Sequence, residues 1–160
     1  MPTDAELRAR FRAERSGFEA LRRAILVEPV LFEIRRDALV WTEPCEWKHG
    51  CQRWVDGRPT AAALARVGRM SERRAQTYLD GLDHLGALVV VRDARRDRVD
   101  FWMHVQGIVP SGASKSIVWS ATPESDRALL VADTAEGPPS AHGHRVAPLD
   151  DEWRIELEWN

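Results

Sequence analysis

The chain has 160 residues, 44% hydrophobic and 30% charged, enough to bury one core and too apolar for a globally disordered polymer. No apolar run is long enough to span a bilayer, and the opening Met1-Pro2-Thr3-Asp4-Ala5-Glu6 lacks the regions of a signal peptide, so a cytoplasmic location is expected. The net charge of −2 hides an asymmetry: Arg58 to Asp100 carries 9 cationic against 6 acidic residues, and Ser120 to Asn160 carries 3 against 9.

In chain order, Thr3 and Glu6 have capping-box spacing, which predicts a helix from Asp4 to about Arg15, ended by Ser16-Gly17. Leu7 and Phe11 alone form its apolar stripe, so it reads as an exposed arm (residues 1–17) that needs a partner surface. Its arginines, Arg8, Arg10, Arg12 and Arg15, are interleaved with acids and read as a solvated face. Ile34, Ala38, Leu39 and Trp41 fall at helical spacing and predict a buried helix over Leu31 to Trp41. Thr42 to Gly57 reads as a loop.

Two short helices follow. Thr60 caps the first, which carries Leu64 and Val67 and stops at Gly68. Ser71 caps the second, whose inward stripe is Ala75, Leu79, Leu82 and Leu85. Gly86 stands where a left-handed cap is required. Leu88 to Arg92 and Arg98 to Val105 predict a hairpin. Gln106 to Ser116 reads as a linker, Ile117 to Trp119 and Ala128 to Val131 as short strands, and Thr134 to Pro148 as loose. Trp153 to Trp159 alternates strictly, so it should join a sheet.

The run from Leu64 to Leu88, with an apolar residue and Ser at the turn, basic residues on the second helix and a Leu-Gly-apolar step into the hairpin, resembles the winged helix-turn-helix modules of phage and plasmid replication proteins and small bacterial regulators. The resemblance covers about a third of the chain. It implies an α+β winged helix-turn-helix over residues 18–106, a helical core with a hairpin wing, followed by a small C-terminal β-rich extension over 107–160. It further implies a sequence-specific binder of double-stranded DNA, acting in transcription regulation or replication initiation. By that resemblance Ser71, Arg73, Arg74, Gln76 and Thr77 face the major groove, where Arg reads guanine and Gln reads adenine. Thr60, Arg66 and Arg69 touch phosphates, and Arg95, Arg96 and Arg98 of the wing add contacts blind to sequence. Glu72 and Asp80 stand where such modules carry cations.

A homodimer or protein partner is expected through Leu7, Phe11, Trp153, Ile155, Leu157 and Trp159. The rival to DNA binding is a module that docks a protein, with the acidic tail contributing; a third reading is a single-strand binder that stacks bases on Trp41, Trp47, Trp54 and Trp102. Core packing is the expected role of those tryptophans, ahead of a stacking platform. Cys45, His49 and Cys51 hold zinc-ligand chemistry without the spacing of a structural zinc site, so free thiols in a loop are expected and no metal or cofactor. Neither a phosphate-cradling glycine loop nor a nucleophile motif is present, and no enzyme activity is expected.

Overall fold

The computed structural model describes residues 1–28, 32–43, 51–93, 97–106, 112–121, 129–135 and 143–159. Helix α1 (Asp4–Leu26) begins as its capping box dictates: the Thr3 hydroxyl accepts from the Glu6 amide, and the Thr3 amide donates to the Glu6 carboxylate at 2.7 Å. It does not stop at Ser16-Gly17. It kinks at Glu14 (φ −113°, ψ 18°) and continues to Leu26. Gly17 allows close packing: a Cβ there would lie 3.0 Å from the Leu85 side chain. The continuation adds Phe18, Leu21 and Ile25 to the stripe begun by Leu7 and Phe11, and all five are buried. The helix is therefore a core element rather than an exposed arm.

The helix expected over Leu31 to Trp41 is a hairpin instead, β1 (Phe32–Arg35) and β2 (Ala38–Glu43) around Arg36-Asp37. The loop expected over Thr42 to Gly57 contains β3 (Cys51–Asp56), paired with β2 over six successive positions. Helices α2 (Ala61–Gly68) and α3 (Glu72–Leu85) follow as expected. Their caps are Thr60, Ser71 and a left-handed Gly86 at φ 66°.

The hairpin after α3, β4 (Val89–Asp93) and β5 (Arg98–Gln106), also forms where expected, but it is not a wing. Strand β4 pairs on its other edge with β1, and β5 pairs on its other edge with β6 (Ala113–Ser120). Val89 and Val90, successive residues pointing to opposite faces, are both buried. A strand with apolar residues on both faces belongs inside a sheet, whereas a wing strand wets one face. The rest of the sheet comes from β7 (Leu129–Leu130), β8 (Gly143–Pro148) and β9 (Trp153–Trp159). Two expected irregular stretches thus carry strand: β8 lies within the supposedly loose region, and β6 begins inside the supposed linker.

The described strands form one sheet in the order β3-β2-β1-β4-β5-β6-β9-β8-β7, antiparallel except for β7 beside β8. This overturns the expected fold class. The chain is α+β with three described helices and a dominant antiparallel sheet, not a helical core carrying a hairpin wing. Its core is organised by one row of side chains that runs across the sheet. Val55, Leu39, Ile34, Val90, Phe101, Ile117, Ile155 and Ala147 are successive cross-strand partners. All but Val55 are buried. The helices cover this face. Phe18 meets Phe101 edge-on at 5.1 Å, and Phe11 and Phe18 both pack on Trp153. Helices α1 and α3 approach closely through Gly17 at Leu85 and Gly81 at Leu21.

Candidate functional site

Two surfaces hold unusual chemistry: the outer face of α2 and α3, and the sheet face opposite the helices. The first carries the residues expected to meet DNA, and most have internal duties. Thr60 and Ser71 spend their hydroxyls on the amides of Ala63 and Arg74. The Arg74 guanidinium reaches the buried Glu28 carboxylate at 2.8 Å, which also accepts from the Tyr78 hydroxyl. Burial and the hydrogen bond to Glu28 raise the Tyr78 hydroxyl above the usual phenol range. Gln76 donates to Asp80 at 2.7 Å, and the Thr77 hydroxyl donates to the Arg73 carbonyl. Arg58 is paired with Asp83. Arg66, Arg69 and Arg73 are exposed and have no ion-pair partner among the described residues, as do Glu72 and Asp80.

The expected wing contacts fare differently again. Arg95 and Arg96 lie outside the described residues. Arg98 is buried on the sheet face away from the helices, where it grips Asp100 through two bonds of 2.5 and 3.0 Å and Glu156 at 2.6 Å. A phosphate backbone cannot reach it.

That second face carries a charged network. Arg98 and Asp100 come from β5 and Arg154 and Glu156 from β9, on either side of β6, with His144 from β8 beside β9. Glu156 binds Arg154 at 2.5 Å through one oxygen, and Arg98 and the His144 ring at 3.1 Å through the other. Burial alone would raise the Glu156 carboxyl; the His144 contact and the two arginines outweigh it and hold it far below the usual carboxylate range. Asp100 goes the other way. Burial pushes it up to about 6 against the pull of Arg98, and the Glu156 charge adds to the rise.

His144, Glu156 and Glu158 place three ligand-type atoms within 4.8 Å of one another. The set does not suit a divalent cation. Both Glu156 oxygens already neutralise guanidinium groups, and a metal there would face two fixed positive charges within a few ångströms. The network ties β5, β9 and β8 together on the side without helices.

A comparable pair locks the start of α1. Lys115 lies 2.5 Å from Asp4, both nearly fully buried, and Asp4 also accepts from the amide and hydroxyl of Thr134. Burial would raise the Asp4 carboxyl, but its bonds from Lys115 and Thr134 prevail and lower it.

The expected partner contacts are mostly core. Leu7, Phe11, Trp153 and Ile155 are buried within the chain; Leu157 and Trp159 are half-buried on β9. Both edges of β9 are occupied, by β6 and β8, so no further strand can add to it. Sequence reasoning chose the strand with the best alternation, and good alternation marks a strand inside a sheet.

The tryptophan platform is split. Trp41 lies in the same row as Arg53 on the helix side, whereas Trp54 and Trp102 occupy rows of the opposite face, and Trp47 lies outside the described residues. Of the cysteine and histidine trio, Cys45 and His49 lie outside the described residues. Cys51 is disulfide-bonded, which corrects the expectation of a free thiol and removes it as a zinc ligand.

What sequence reasoning missed is β3. Among the described residues it forms one edge of the sheet, and Trp54 and Val55 are 66% and 45% exposed. Its register with β2 is unbroken. The opposite edge, β7, is only two residues long. Short strands, prolines, bulges and charges are how sheets blunt their edges. As described, β7 is two residues long; β3 has neither proline nor bulge, carries the exposed charges Arg53 and Asp56, and displays Trp54 to solvent.

No protein family, curated protein or solved structure matches this chain. The resemblance to winged-helix modules therefore rests on Leu64 to Leu88 alone. No helix among the described residues is long and apolar enough to cross a membrane.

Proposed function

We propose that this chain is a non-catalytic protein-interaction module that docks a partner protein along the β3 edge. The observation that carries the reading is the long, regular edge strand with Trp54 and Val55 exposed. An edge strand can receive an incoming strand through backbone hydrogen bonds, and an aromatic anchor adds apolar burial. The state of α3 supports the same reading. With Arg74 withdrawn to Glu28 and Asp83 neutralised by Arg58, its outward charges are Glu72, Arg73 and Asp80. That balance is acidic and unfavourable beside phosphate.

A second reading, contact with double-stranded DNA, is favoured by one observation. Arg66, Arg69 and Arg73 flank the N-terminus of α3, where the helix dipole also attracts anions. It has lost its wing, and four of its five base-reading side chains, Ser71, Arg74, Gln76 and Thr77, are engaged internally.

The test is capture from nuclease-treated lysate by the immobilised chain and by its Trp54→Lys variant. The proposal expects a protein that the wild type retains and the variant releases. Equal capture by both would remove β3 from the account.

A further inference from the structure

We propose that His84 is a proton-controlled pin that sets the bend of α1.

Helix α1 contains no proline, yet it leaves helical geometry at Glu14. Sharp bends without proline commonly fall at Gly/Ser pairs, and Ser16-Gly17 lies two residues on. That pair weakens the helix without giving the bend a direction. The direction comes from the two residues at the bend, which are tied to opposite sides. The Glu14 carboxylate lies 2.7 Å from His84 Nε2, in the last turn of α3. The Arg15 guanidinium lies 2.7 Å from Asp150, in the turn between β8 and β9. The two halves of the helix are anchored separately. The first is held by Asp4 on Lys115 and by Arg8, which donates to the carbonyls of Pro148 and Ala132. The second seats on α3 through Gly17 at Leu85 and Leu21 at Gly81. The bend is where these two anchorages meet.

A proton can switch one of the two ties near neutrality. Imidazole changes charge between about pH 5 and about pH 8, whereas guanidinium and carboxylate groups ordinarily keep theirs. The His84 side chain is 65% exposed, so its proton exchanges freely with solvent. Protonated, it makes a charge-assisted bond to Glu14 and suits the negative end of α3. Neutral, it keeps at most an ordinary hydrogen bond. The other charges near it come from three elements. On α3 they are Asp80, one turn back, and Asp83, which is paired with Arg58. The β1–β2 turn supplies Arg36, 4.0 Å from Asp83. On α1, a turn before Glu14, Arg10 lies against Gly86. The pin is set in mild acid and released as pH rises through the histidine range.

Amide hydrogen exchange of the full chain at about pH 5.5 and about pH 8, corrected for the intrinsic rate, tests this at Arg15 to Phe18. The variants are His84→Arg and His84→Gln. Both are expected to keep the wild-type circular dichroism, because position 84 is largely exposed. The wild type is expected to lose protection at the bend about two- to fivefold from the lower to the higher pH, the scale of an exposed ion pair at a helix end. His84→Arg, charged at both values, is expected to hold the acid level throughout. His84→Gln is expected to stay at the alkaline level throughout.

No pH response in the wild type would overturn the proposal and leave Ser16-Gly17 as the cause of the bend. An equal response in wild type and His84→Gln would overturn it too, as would a response that persists in His84→Arg.

Discussion

Arg74 and Glu28 form a pair in which the carboxylate is buried and the guanidinium half-exposed, 2.8 Å apart. An arginine placed on the outer face of a helix by its sequence position is thereby turned back onto the end of α1. Glu28 also accepts from the Tyr78 hydroxyl, and its backbone carbonyl accepts from Arg92 at 2.5 Å. Arg74→Ala leaves a nearly buried carboxylate with fewer partners and is expected to cost about 1 kcal/mol, the low end of the range because the Arg74 head is half in solvent. Arg73→Ala, on an exposed position without such a partner, is expected to stay within about 0.5 kcal/mol of wild type. Urea unfolding of the two variants separates them, and equal effects would contradict the pairing.

The two glycines between α1 and α3 differ in a measurable way. A Cβ at Gly17 would sit 3.0 Å from Leu85, a core side chain with little room to move, whereas at Gly81 it would make ordinary contact with Leu21 at 3.4 Å. Gly17→Val is expected to cost about 1–3 kcal/mol by overpacking. Gly81→Ala is expected to gain about 0.5–1 kcal/mol, since the helix interior favours alanine and the unfolded chain loses freedom. Thermal unfolding of both variants reads the opposite signs.

These glycines also show why part of the fold was legible in the sequence and part was not. Helix starts were readable because capping is local: Thr3 with Glu6, Thr60 and Ser71 all cap as expected. Gly86 was readable because its left-handed conformation is also local. Gly17 carries the same chemical signal but serves packing against Leu85, which lies far along the chain, so it was read as a stop. Ile34, Ala38 and Trp41 fit helical spacing, yet the alternation Phe32-Glu33-Ile34-Arg35 fits a strand equally, and only pairing with β4 decides between them. Strand β3 has no apolar alternation because five of its six residues are exposed, so the candidate docking edge left no periodic trace. The position of the hairpin β4–β5 is legible in the sequence, but nothing local reveals that β1 and β6 flank it, so the local signals suggest a wing.

The Phe18 ring is fully buried among Phe11, Phe101 and Trp153. Phe18→Ala is expected to cost about 3–5 kcal/mol, the price of a large cavity in a packed core. A value below about 1 kcal/mol, measured by denaturant unfolding, would mean that α1 does not seat on the sheet.

Acid should act on the buried Asp4–Lys115 pair. Its lowered carboxyl contributes stability that is present above the ordinary Asp value of 3.8 and is lost as pH falls through the folded-state value. Asp4→Asn is expected to destabilise strongly at pH 7, by about 3–5 kcal/mol, because Lys115 is left buried without its counter-charge. The difference from wild type should shrink as pH falls below 3.8. A pH-independent difference would contradict the ion pair.

Asp100 should show the opposite sign. Its carboxyl is raised to about 6, so its contribution is fully present below 3.8 and is lost as pH rises through about 6. Asp100→Asn is expected to flatten the stability profile between pH 4 and pH 7 relative to wild type. Unfolding free energies at several pH values check this, and an unchanged profile would show that Asp100 titrates normally.

The central claim is that the helix-turn-helix segment has been absorbed into a sheet protein whose binding surface is the β3 edge rather than α3 and a wing. A gel-shift assay of nuclease-treated protein on random double-stranded fragments, at low and at moderate salt, tests it most directly. The account predicts no retardation even at low salt. Retardation that weakens steeply with salt, and is lost when Arg66, Arg69 and Arg73 are replaced by Ala, would contradict it by showing phosphate contacts on the α2–α3 face.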